Sequence, residues 1–212
     1  MNDIKKAPKF NSIEDLEEEL KKIKSLDFNN YSKENVYQYN LLIHGVLNRT
    51  YELVDSSIWS IKNKRPLSSA MFLRGLIETL AFTHHTWLHI CIKQDKEKIE
   101  KLLLGSRNKK TPIKSINILT CIDKAIDNSS EKFPNLRKNY DDLSEMIHPN
   151  SMSFFYSARA VNESNNVDDF KLPFYYFRDK DKEKVMNQVG EYSYYIRNFC
   201  QKTIDKMEKE LE

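Results

Sequence analysis

Glycine is scarce in this chain, with four residues in 212. So few cannot supply the many tight turns of a sandwich or barrel, which argues against an all-β fold. Cysteine is scarcer still. Cys91, Cys121 and Cys200 are odd in number, far apart and free of C-x-x-C spacing, so neither a disulfide framework nor a zinc site is expected and a reducing cytosol fits best. Charge of one sign is not in excess either. The formal net charge is +3, which by itself names no nucleic-acid partner. Long uninterrupted apolar runs are missing as well. "MNDIKKAPKF" has no apolar signal core, and the most apolar stretch, "MFLRGLIETLAFTHHTWLHICI", contains Arg74, Glu78 and three histidines. Neither export nor a membrane span is expected.

What the chain has in quantity is helical patterning. Residues 12–24, "SIEDLEEELKKIK", start at a Ser12 cap, with acids in the first turns and lysines in the last, and predict a short, exposed helix. Val36, Ile43, Val46, Leu47, Val54, Ile58 and Ile61 recur at helical spacing and predict one long amphipathic helix from about 32 to 62. Lys64-Arg65-Pro66 turns the chain into a third helix, from about Pro66 to Ile92. Segment 93–114 carries eight Lys or Arg against three acids and is the most basic region. Gly105 and Pro112 break it, and 113–126 and 135–148 are expected to be two further helices. Beyond Pro149, "SMSFFYSARAV" and "FKLPFYYFRDK" flank a polar linker and predict an aromatic-rich β-ribbon or extended arm near 152–178, with Pro173 at an edge. A last helix, from about Lys182 to Leu211, has a seam of Val185, Val189, Tyr192, Ile196, Phe199 and Thr203. That seam fits either the second helix or the same helix of another copy. The expectation is therefore a mainly α chain: one domain over 1–212, a bundle of five to seven helices with an inserted arm.

On a helical wheel of the third helix, Leu73, Leu76, Ile77, Leu80, Trp87, Leu88 and Cys91 form the core face. His84 falls near the middle of that stripe, where a core histidine is expected. Arg74, Glu78, His85 and His89 line one flank. They form either an Arg74–Glu78 ion pair beside solvated histidines or the wall of a polar cleft. His85 and His89 have the i, i+4 spacing of a metal pair, but Thr86 stands where H-E-x-x-H needs its glutamate and no third ligand is evident, so no metal is assigned.

In residues 135–148 the core face is Leu136, Tyr140, Leu143 and Ile147, and Arg137, Asp141, Ser144 and His148 share a flank. His148 ends its helix at the negative pole of the dipole, which favours its protonated form. Pro149 stops the helix, and Asn150 can turn the chain and satisfy a free carbonyl. A capped helix end accounts for this corner on its own. No Gly-rich phosphate loop, nucleophile elbow or catalytic cysteine pattern is present in the sequence.

"FLRGLIETLAF" together with "YDDLSEMIHPNS" resembles helical proteins of the HEPN superfamily, over about residues 36–150. The resemblance implies a compact helical bundle, often dimeric, of the kind found in toxin-antitoxin, abortive-infection and CRISPR-linked defence systems, where many members are metal-independent ribonucleases. The family's signature places a histidine four to six residues after an arginine. This chain departs from it, since the nearest arginine before His148 is Arg137, eleven residues upstream or about 16 Å along a helix. Activity would therefore need a composite site, formed within one chain or across two copies.

In that site Arg74 would hold a phosphate oxygen, Glu78 would orient it, His148 would serve as general acid or base, and Asn150 would position the phosphate. Lys109, Lys110, Arg107, Lys114 and Arg159 would attract an RNA backbone, and Phe154, Phe155, Tyr156, Tyr175 and Tyr176 would stack bases or simply pack the arm. No cofactor is called for. The implied partners are a second copy, RNA and a protein from the same operon, in the cytoplasm and away from membranes. The competing expectation is non-catalytic: Arg74, Glu78 and His148 form a structural polar network in a dimerisation or partner-binding module.

Overall fold

The computed structural model describes residues 5–26, 34–93, 121–122, 135–147 and 178–209. Every regular element among them is helical: α1 (Ile13–Lys24), α2 (Glu34–Lys62), α3 (Pro66–Trp87), α4 (Leu136–Ile147) and α5 (Asp179–Lys209). After Trp87, α3 loosens into a π-helical turn over Leu88–Lys93. The expected ribbon near 152–178 lies outside the described residues except for Arg178, and so does the expected 113–126 helix except for Cys121 and Ile122, which are helical and buried. No described helix is long and apolar enough to cross a membrane.

The centre is built from α2, α3 and α5, each touching the other two, with α1 laid over α2 and α5 and α4 laid against α3. The apolar stripes meet there. Leu73, Leu76, Ile77 and Leu80 of α3 are buried together with Val54, Ile58 and Ile61 of α2 and Val189, Tyr192, Ile196 and Phe199 of α5. Each such side chain contributes about 1.5–3 kcal/mol on leaving water, which outweighs the weak intrinsic preference of any one helix. The α5 seam thus finds its partners inside the chain, on α2 and α3. Its helix begins earlier than the apolar pattern indicates, at Asp179, because Arg178 bonds Asp181 across the first turn and its carbonyl accepts the amides of Asp181 and Lys182.

α1 is not the exposed rod that its charge pattern predicts. Ser12 caps it in a reciprocal box with Asp15: the Asp15 amide donates to Ser12 Oγ at 3.2 Å and the Ser12 amide to Asp15 Oδ2 at 3.0 Å. Twelve residues are marginal as a free helix, and α1 persists by burying Leu16, Leu20 and Ile23 against the bundle. The strap before it is fastened too. Ala7 donates its amide to the Tyr195 hydroxyl and Phe10 its amide to Asn187 Oδ1, both at 3.2 Å. The Phe10 ring lies directly over Gly190, where any Cβ would collide with it. Glycine in mid-helix costs stability, and here its missing side chain is the seat of the ring.

The α2–α3 hairpin is tight. Lys64 takes a left-handed φ of 54°, and the Arg65 amide closes back on the Ser60 carbonyl at 2.8 Å. Pro66 then opens α3, where its missing N–H costs nothing. Ser60 Oγ and Ser69 Oγ, both buried, share a hydrogen bond of 2.7 Å across the pair.

Candidate functional site

Helical spacing aligns Leu67, Met71, Arg74 and Glu78 along one outer stripe of α3. Leu67 and Met71 are exposed, and the two charged residues are about one quarter to one third exposed. Arg74 Nε lies 3.3 Å from Glu78 Oε1, an electrostatic contact rather than a hydrogen bond, because the buried Nε–H is not aligned on the carboxylate. α4 supplies the alignment the pair lacks. Arg74 Nη2 donates to the Tyr140 hydroxyl at 3.0 Å, and that hydroxyl donates onward to Glu78 Oε1 at 3.4 Å. The guanidinium also stands 5.0 Å from the centre of the Tyr140 ring.

α2 adds a second cation. Arg49 Nε donates to Thr79 Oγ1 at 3.0 Å, while Thr79 donates its own proton to the Gly75 carbonyl at 2.7 Å and so holds a lone pair toward the arginine. Arg49 Nη2 comes within 3.9 Å of the other Glu78 oxygen, and its side chain is 57% exposed. Two guanidiniums therefore share one carboxylate, leaving a local charge of +1 at the surface. Chemically such a cluster can bind and orient an anion. Among its members only the arginines, the carboxylate and the phenol are ionisable.

Of the residues read from sequence, Arg74 and Glu78 are together as expected, while His148, Asn150, Lys109, Lys110, Arg107, Lys114 and Arg159 lie outside the described residues, as do the arm aromatics. α4 meets the Arg74–Glu78 pair at Tyr140, about 10 Å of helical rise before Ile147. Arg137 bonds Asp141 on the exposed side of α4. Sequence reasoning missed Arg49 and counted Tyr140 only as core. The Tyr140 ring is indeed buried, and nothing in its local pattern distinguishes a core phenol from one that bridges an ion pair.

Of the two alternatives for the histidine flank, the solvated one is not observed. His85 and His89 are buried, not solvated, with rings 4.5 Å apart edge to face. His84 is fully buried, as its place on the stripe predicts, beside Phe199 at 5.2 Å and Trp87 at 5.8 Å. Among the described residues no group of three or more His, Cys, Asp or Glu is placed to hold a metal ion.

A different charged pair joins α1 to α5. Glu19 of α1 is 2% exposed and accepts from Arg197 Nε at 2.6 Å and Nη2 at 3.4 Å. Burial raises the Glu19 pKa even though Arg197 pulls it down. Tyr192, whose hydroxyl accepts from Asn139 Nδ2 at 2.9 Å, is pushed up to about 12 by burial, and burial likewise lifts the Cys200 thiol.

Compared with known proteins, no family model, no curated sequence and no solved structure matches the chain.

Proposed function

We propose that this chain is a HEPN-like helical module of a bacterial defence or toxin-antitoxin type system, acting by dimerisation or by binding a partner protein, with Arg74 and Glu78 serving as a structural bracket. The observation that carries this reading is the double engagement of Tyr140. One phenol accepts from the arginine and donates to the glutamate, so three polar groups on α3 and α4 are joined in one hydrogen-bonded chain. A guanidinium held this way fixes the register of α4 on α3. The test joins stability to activity: Arg74→Ala and Tyr140→Phe lower the unfolding midpoint, and the purified protein leaves labelled RNA intact in EDTA. RNA cleavage in EDTA that His148→Ala abolishes without loss of folding would replace the bracket by a catalytic role.

A ribonuclease reading stands second, and Arg49 favours it. With Arg49 at its edge the cluster keeps one positive charge in excess and a solvent-facing guanidinium, which suits a phosphodiester. In that reading Arg74 holds the phosphate, Glu78 orients it, and His148 and Asn150 complete the composite site within or between copies, with the basic 93–114 segment drawing in the RNA.

A further inference from the structure

α4 and α5 both pack against α3 and scarcely touch each other. Asn139 Nδ2 bridges them at the Tyr192 hydroxyl, and from that bond toward the start of α5 they leave a groove of about 220 Å³. Its floor is apolar, made by Ala70 and Leu73 of α3, Leu143 of α4 and Val185 of α5. A dry apolar cavity of about 150 Å³ accepts a benzene ring, so this floor has room for one branched or aromatic side chain.

The two walls differ in polarity. On a helical wheel Asn139, Asp142 and Met146 share the flank of α4 that borders the groove, and Asp181, Lys184 and Gln188 share the facing flank of α5. Asn139 turns its N–H to Tyr192, which leaves its carbonyl oxygen as a second acceptor on the wall that carries the Asp142 carboxylate. On the α5 wall Asp181 is paired with Arg178, and the Lys184 ammonium is the charge that remains. Asp142 and Lys184 both line the groove, yet among the described residues neither side chain has an ion pair or a hydrogen bond. Opposite charges on facing walls that do not meet call for a ligand carrying both signs. The backbone of a mid-chain peptide segment carries neither, and a chain terminus carries one. A free α-amino acid carries both on a single carbon.

We propose that the groove between α3, α4 and α5 binds a free α-amino acid with an apolar side chain: its ammonium on Asp142 and the Asn139 carbonyl, its carboxylate on Lys184, and its side chain on the floor against Leu73 and Val185. Charge-assisted bonds to both walls fix the orientation, and the floor rejects charged side chains, whose burial is costly. The inference goes beyond the bracket and uses none of Arg74, Glu78 or Tyr140. A ligand held by both walls joins α4 to α5 where they otherwise stand apart, so its binding stabilises the folded chain.

The experiment titrates the full chain by calorimetry with L-leucine, L-isoleucine and L-phenylalanine. L-Glutamate is the polar control, and isoamylamine and 4-methylpentanoate stand for leucine without its carboxylate and without its amine. At least one of the three apolar amino acids is expected to bind at millimolar concentration or below and to raise the melting temperature, with glutamate and both one-charge analogues about tenfold weaker or more. Asp142→Asn and Lys184→Gln should each weaken binding about tenfold and leave the melting temperature of the free chain unchanged, because both side chains are exposed. The proposal is overturned if none of the three amino acids binds, if a one-charge analogue binds as tightly as leucine, or if binding ignores either substitution. The bracket fails separately, on the stability of Tyr140→Phe.

Discussion

Among the described residues arginine meets glutamate in two places that differ mainly in depth. Glu19 and Arg197 tie α1 to α5 one to one, with the carboxylate almost wholly out of water. Arg74 and Glu78 lie on the outer stripe of α3, share the carboxylate with Arg49, and keep part of their surface in solvent. In the buried pair the cost of removing both charges from water offsets most of their attraction, and what the pair secures is orientation. The outer pair is individually weak, about 0.3–0.5 kcal/mol for an i, i+4 contact, but its cations remain able to meet a ligand. Depth, rather than residue type, separates a pair closed off from water from one that still faces it.

The largest expected effect comes from removing one half of the buried pair. Arg197→Ala strands the Glu19 carboxylate and should cost about 3–5 kcal/mol of unfolding free energy at pH 7. The sign with pH follows from the raised pKa of Glu19. The folded state holds that proton more tightly than the unfolded chain, so the group's contribution is fully present below the ordinary carboxylate value of 4.5 and is lost as pH rises through the higher folded value. Without Arg197 the rise in pKa is larger, so the variant's deficit should grow from pH 4.5 toward 7 in urea titrations. A deficit constant with pH would mean that the pair is not held in the low-dielectric site described.

Next in size is Gly190→Ala, on the same side. Its Cβ collides with the Phe10 ring, and expelling that ring should cost about 2–3 kcal/mol, read as a lower denaturation midpoint with faster proteolysis of the strap. Unchanged stability would show that the strap contributes nothing.

On the outer pair the effects shrink. Tyr140→Phe keeps the ring and removes the hydroxyl that links Arg74 to Glu78, an expected loss of about 1–2 kcal/mol by chemical denaturation. Arg49→Gln should change stability by less than about 0.5 kcal/mol, as befits a mostly solvated cation. Were Arg49→Gln as damaging as Arg197→Ala, the contrast between the buried and the outer pair would collapse.

Much of the bundle was legible because its signals are local. The Ser12 cap, the proline that opens α3 and the periodic stripes of α2, α3 and α5 each need only a few neighbouring residues to be read, and each is observed. Glu78 four residues after Arg74 was legible for the same reason. Arg49 was not, because its contact with Thr79 joins residues thirty apart in sequence. The burial of α1, His85 and His89 was also hidden: a charged helix and a polar flank look solvated until a neighbour is laid over them.

What this sequence determined by itself is a set of helices, their caps and the faces they must bury, since periodicity and capping are decided within a turn or two. Tertiary structure alone decided which charges went inside, which phenol bridges the α3 pair, and why Gly190 lies under a ring. Those outcomes depend on desolvation and on contacts between distant segments, and neither quantity exists until the helices have met.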